Sequence, residues 1–433
     1  NGQIAFSTNG TERLKIDENG DITFTGELSF SDAQYNTVIG TNAGDSFTGT
    51  DANHNTLIGY DAGTAITIGD YNTAVGRSAL ETNASGVANT GIGYKALSLT
   101  TGTGNTAVGY NALLDNAGGA QNTAVGVDAL SSNTSGIYNI GVGSFTLEDN
   151  LIGSHNTALG YYSLGNFVAD TAHHGWNVGV GYGAGSGITT GTHNIAIGSA
   201  TLEASGGTGD YNVAVGYAAL NANTSGVNNT IIGHEAGKSN IIGDTNVAVG
   251  FQALYTNTDA DHSTAIGYQA LHLYNNTTDN YDAHNTAVGY QAGLSATGTA
   301  NRNTFVGSLT ASGNTTAVNN TAIGYYALAV NETGDQNVAV GAYALDAYTA
   351  SNAVAVGESC LSGLTSGVGN AALGFEAAKL TEDGAYNTVV GYQALYTNVS
   401  GAYNIAIGYE ALKTSTSSSN TAIGYQSQNK LTS

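Results

Sequence analysis

Apolar residues in this chain come in two short clusters that alternate with polar runs. Residues 105–113, Asn-Thr-Ala-Val-Gly-Tyr-Asn-Ala-Leu, place a Thr-Ala-Val triplet before a glycine and an Ala-Leu pair after it, and the order returns at residues 122–130. Polar stretches such as residues 81–86, Glu-Thr-Asn-Ala-Ser-Gly, separate the clusters. Helical spacing fails on this pattern, whereas short β-branched segments bounded by turn residues predict strands. The fixed glycine occurs 23 times between Gly40 and Gly424, most often 17 residues apart. Two strands and two turns in 17 residues make one coil, so residues 35–428 are expected to form an all-β, parallel β-solenoid or β-roll of about 23 coils.

The columns of the repeat carry further expectations. The residue before the glycine is Val, Ile or Leu in every copy, which marks it as the buried wall, and Val249 is expected inside the roll. The preceding residue is usually Ala, and this Ala-rich face is expected to meet other chains, because two thin strands bury too little alone. The economical assembly is a homotrimer, intertwined or side by side, forming a fibre. An Asn four residues before the glycine can stack its amide coil upon coil. Parallel pairing at about 4.8 Å would make the stack on the order of 110 Å long.

Composition agrees with a stacked repeat. Among 433 residues there are 62 glycines and no proline or methionine. Proline would delete a ladder hydrogen bond from a strand paired on both sides. Lys and Arg number 9 against 32 Asp and Glu, a net charge of −23 with 9% of residues charged. So few cations, none clustered, disfavour nucleic acid and anionic membrane surfaces as partners. No apolar stretch approaches the length of a membrane span. The single Cys360 cannot form an internal disulfide.

The strings Asn105-Thr106-Ala107-Val108-Gly109, Asn212-Val213-Ala214-Val215-Gly216 and Asn404-Ile405-Ala406-Ile407-Gly408 resemble the head repeats of trimeric autotransporter adhesins, whose heads are trimers of left-handed parallel β-rolls. The fuller repeat, with its Asn-x-Ser/Thr-Gly loop, and the opening Gly10-Thr11-Glu12-Arg13-Leu14-Lys15-Ile16-Asp17 are similar to fibre proteins of tailed viruses. The period is longer than in the adhesin heads. The resemblance implies a non-enzymatic, extracellular structural and attachment fibre, foremost a viral tail-fibre shaft that positions host-receptor binding. A bacterial cell-surface adhesin head that binds matrix or glycans is the alternative, and a polysaccharide-degrading tail-spike ranks below both. The implied partners are a second and third copy, a host cell-surface glycan or protein, and adjoining fibre or capping domains. Residues 1–34, with Asn9-Gly10 and Asn19-Gly20 between strand-like runs, read as an N-terminal hairpin-like adaptor or cap. Residues 429–433 read as a tail, with Ser433 a processed end in the viral reading.

Candidate chemistry is sparse. No catalytic motif and no cofactor fingerprint occurs. His54, His155, His193, His262 and His284 share one column with six tyrosines and Trp176, which predicts a stacking ladder of flat rings. The strongest exception for a cation is His262 with His284 near Asp261 and Asp282. Twelve tyrosines directly follow the repeat glycine and form a second aromatic stripe. The steps from Gly160 to Gly181 and from Gly267 to Gly289 are longer than the rest, so recognition loops are expected there, carrying Phe167, His173, His174, Trp176, Tyr274 and Tyr281.

Overall fold

The computed structural model describes residues 4–8, 11–16, 22–24, 34–47, 51–171, 174–275 and 283–428. They fall in two compact units, Asn1–Ala124 and Val125–Ser433. The first unit opens with an antiparallel sheet of β1 (Ile4–Thr8), β2 (Thr11–Ile16) and β3 (Ile22–Phe24), in that order. Its connections at Asn9-Gly10 and Asn19-Gly20 lie outside the described residues. Parallel strands of three residues follow, β4 (Thr37–Ile39) to β8 (Thr106–Val108), each in register with the next, and β9 (Thr123–Val125) falls where the chain divides into its two units. The second unit repeats the arrangement from β10 (Ile140–Val142) to β26 (Thr421–Ile423), with Ile140 opposite Thr157 and Ile405 opposite Thr421. Both units are parallel β-solenoid with a repeat of about 17 residues and no helix among the described residues.

Each turn holds one strand, not the two expected. The Ala-Leu cluster after the glycine is a tight turn with left-handed backbone at two residues, such as Gln252 (φ 50°) and Leu254 (φ 53°). Left-handed backbone in a bulky residue costs about 1 kcal/mol or more. Burial of the leucine offsets this, since Leu80, Leu97, Leu113 and their equivalents are fully enclosed.

The strand face is inverted by one residue from the sequence reading. Ala74, Ala158 and Ala248 are completely buried, whereas the aliphatic residue that follows is half-exposed, 48% at Leu159. Val249 therefore points outward, and Thr, two residues before it in the pattern, shares that side. Space explains the inversion. The interior is filled from the opposite side by Leu and Ala of the turn, which leaves room on the strand for a methyl group and little more. Where the turn leucine becomes glycine, a larger group comes in from elsewhere. A Cβ on Gly63 would lie 2.7 Å from Leu57, on Gly237 3.2 Å from Ile231, and on Gly293 2.8 Å from Phe305.

Two polar ladders run through the interior. Asn72 accepts at Oδ1 the backbone N–H of Asn89 (3.0 Å), and its Nδ2 donates to the Gly86 carbonyl (2.9 Å). Asn83 bonds both the N–H and the carbonyl of Gly86 (2.8 and 3.1 Å). The pattern recurs at Asn229 and Asn240 and at Asn387 and Asn398. Loop backbone facing the interior is thereby satisfied without water. Cys360 occupies an alanine position in this core, and burial pushes its thiol pKa up to about 12.

Two substitutions test this packing. Ala248→Asp is expected to bury an unpaired charge and lower stability by on the order of 4 kcal/mol, read from urea unfolding. Phe305→Ala should cost about 3–5 kcal/mol. Adding Gly293→Leu to it restores the ordinary alanine–leucine pairing and should recover more than half of that loss, whereas Gly293→Leu alone destabilises.

Candidate interaction face

The outward surface is built from columns. On the strands of the second unit, one column reads Ile140, Thr157, Val178, Ile195, Val213, Thr230 onward, and the other is Val, Ile or Leu throughout. No charged residue occurs in either column from β10 to β26. Aromatic columns border them, one two residues before the strand face and one two residues after.

Ring stacking in these borders is continuous over several turns. Tyr138, His155, Trp176, His193 and Tyr211 form one stack, with centroids 5.1, 5.0, 5.1 and 4.8 Å apart. Across the face, Tyr217, His234, Phe251, Tyr268 and Tyr290 form a second, and Phe375, Tyr392, Tyr409 and Tyr425 a third. The spacing follows from the parallel ladder, which lifts each ring by one strand separation. Ring faces within a stack are consumed by their neighbours and only edges reach solvent, so these stripes do not offer the free faces that carbohydrate stacking requires.

The expected recognition residues divide. Phe167 and Tyr274 are fully buried, seven residues after their glycines, where ordinary turns carry the second Asn. Each is a plug at the root of an insertion, and the Tyr274 hydroxyl donates to Asn301 Oδ1 at 2.8 Å. This corrects their reading as exposed loop contacts: at this offset an aromatic ring packs into the interior, as Tyr348 does in a turn that carries no insertion. Trp176 belongs to the ring ladder, between His155 and His193. His174 is solvent-facing, with Nδ1 3.0 Å from Asp170 Oδ1. His173 and Tyr281 lie outside the described residues.

His262 and His284 stack at 5.0 Å, 17° from parallel, as members of the same column. Asp261 accepts the backbone N–H of Asp244 at 2.6 Å, and Asp282 lies outside the described residues. Among the described residues no group of three or more His, Cys, Asp or Glu is placed to hold a metal ion.

Several loop carboxylates have a shared task. Asp70, Asp210, Asp244 and Asp335 each accept a backbone N–H from the preceding turn, at 2.6–2.8 Å. Their common offset, six residues before the repeat glycine, is the signal that could have found them. Glu235, Glu376 and Glu410 are held below the usual carboxylate range, first by a hydrogen bond from the lysine three residues on. Glutamines one turn later add a second: Gln252, Gln393 and Gln426 donate to these carboxylates at 2.9, 2.7 and 2.8 Å.

No protein-family model, curated protein or solved structure matches the chain. No helix among the described residues is long and apolar enough to cross a membrane.

Trp176 reports on the ladder directly. Replacing His155 and His193 together with alanine uncovers both indole faces, so acrylamide quenching of the single tryptophan is expected to rise at least twofold while the β-sheet circular dichroism stays unchanged.

Proposed function

We propose that the chain is a non-enzymatic structural and attachment fibre, a homotrimeric β-solenoid segment that acts outside the cell as part of a virion tail fibre. In this reading it holds a receptor-binding element, directed at a host glycan or surface protein, away from the particle, and it joins adjoining fibre or capping segments. The observation that carries the reading is the in-register repeat: turn after turn reuses the same Gly contact, most turns the same Asn contact, and runs of turns the same ring stack, so more turns extend the same surface rather than build a pocket. The likeness of the repeat and of residues 10–17 to viral fibres supports virion over cell surface.

Sedimentation equilibrium and electron microscopy of the purified chain test this. The expected result is a mass of three chains and slender rods. A one-chain mass at every concentration overturns the homotrimer, and rounded particles overturn the fibre.

A further inference from the structure

We infer that the charge-free strand face, Thr, Val or Ile (Ala at 371) with the Val, Ile or Leu two residues on, is where copies of this chain meet, same turn against same turn, about an axis parallel to the stack. The inference rests on the fibre reading and replaces the alanine face, which the fold has already consumed as its core.

Three observations single out a second copy as the occupant. The first is period. The face repeats once per turn along the whole ladder, and an identical chain set parallel to it carries the same repeat, so side chains that interlock at one turn interlock at all. A partner without that period falls out of step within a few turns.

Charge is the second. A chain of net charge −23 repels its own copy at nearly every orientation. From β10 to β26 the strand face is free of Asp, Glu, Lys and Arg, whereas Glu235, Lys238, Glu376, Lys379, Glu410 and Lys413 all sit in the turns. Association on the face keeps the charged turns in water.

The third is area. Seventeen strands at about 4.8 Å make a strip about 80 Å long, and three residues per strand make it about 10 Å wide. It thus offers roughly 800 Å² per chain, the size of a standard stable interface. The strip is uncharged throughout and aliphatic along the whole of one column, with the methyl groups of Thr, Val and Ile beside it.

The bordering ring columns fit the same arrangement. They are locked in ladders before any partner arrives, so little side-chain entropy is lost when copies approach. Their hydroxyl and imidazole edges form a polar rim beside an aliphatic centre.

The test places lysines on alternate turns of the face, Val215→Lys, Val249→Lys and Val288→Lys, in one variant. Alternate turns avoid stacking like charges within a single chain. A charge-matched control carries Ser225→Lys, Thr299→Lys and Ser400→Lys, all in exposed loops off the face and on turns that are not neighbours. Mass is measured by sedimentation alongside circular dichroism. The expected result is a multimeric wild type and control, and a face variant of one-chain mass with unchanged β-sheet signal. A face variant that stays multimeric overturns the face assignment and leaves the fibre reading standing, whereas a wild type of one-chain mass overturns the assembly itself.

Should the face variant fail to fold, oxidation of Val249→Cys in a Cys360→Ala background decides the matter. Disulfide-linked dimers are expected in high yield, with none from Ser225→Cys in the same background. Equal yields from the two positions overturn the face.

Discussion

Everything in this fold depends on how closely one turn can sit on the next. The repeat glycines adopt φ near 135°, and a Cβ on any of those with a following turn in the same unit would lie 2.2–2.8 Å from the carbonyl oxygen of the next repeat glycine. Only hydrogen can occupy that gap. Glycine over glycine therefore fixes the vertical register, and once it is fixed every other residue lies above its own counterpart. Buried amides satisfy loop backbone at the same point in each turn, and rings stack because their Cα atoms are already one strand separation apart.

The same register governs charge. Identical charges on neighbouring turns would face each other across about 5 Å, so columns that carry charge need a diluent or a partner. Glu376, Gln393, Glu410 and Gln426 alternate, which gives each carboxylate an amide neighbour instead of a second carboxylate. Lysines three residues on complete the neutralisation, and the aspartates spend theirs on backbone N–H groups. Low charge content is thus a property of the ladder, and the solubility it forgoes is supplied by exposed Thr, Ser and Asn in the loops.

Much of this was legible in the sequence. The 17-residue period, the parallel strands, the glycine corner, the Asn ladder and the mixed Tyr–His–Trp stack all follow from column identity, because a repeat displays each position many times over. The face of the strand was not legible. In Thr-Ala-Val the two apolar residues are adjacent, so the alternation of a strand can bury either one, and the habit of placing the larger inside selects Val. The interior accepts only Ala because Leu enters it from the far side of the turn, a fact that depends on the backbone of the turn and not on the hydropathy of the strand. Phe167 and Tyr274 misled for a related reason: aromatic residues beside insertions suggest contact loops, but their offset of seven residues from the glycine places them in the column of the buried Asn.

That inversion also changes what the surface means. With Ala outside, the open face would have been shallow, its methyl groups giving little area to a partner. With Val, Ile and Leu outside, the chain holds the larger aliphatic group of each strand on the surface and gives its core the strand's alanine, with the turn leucine packed over it. Strand propensity favours a β-branched residue at the outward position, but Thr meets that preference as Val or Ile does and would improve solubility. A preference that acts once per turn, and only on that side, is met within the chain by the neighbouring turns of the ladder, and it is the same preference that the proposed aligned copy, with its identical period, would use.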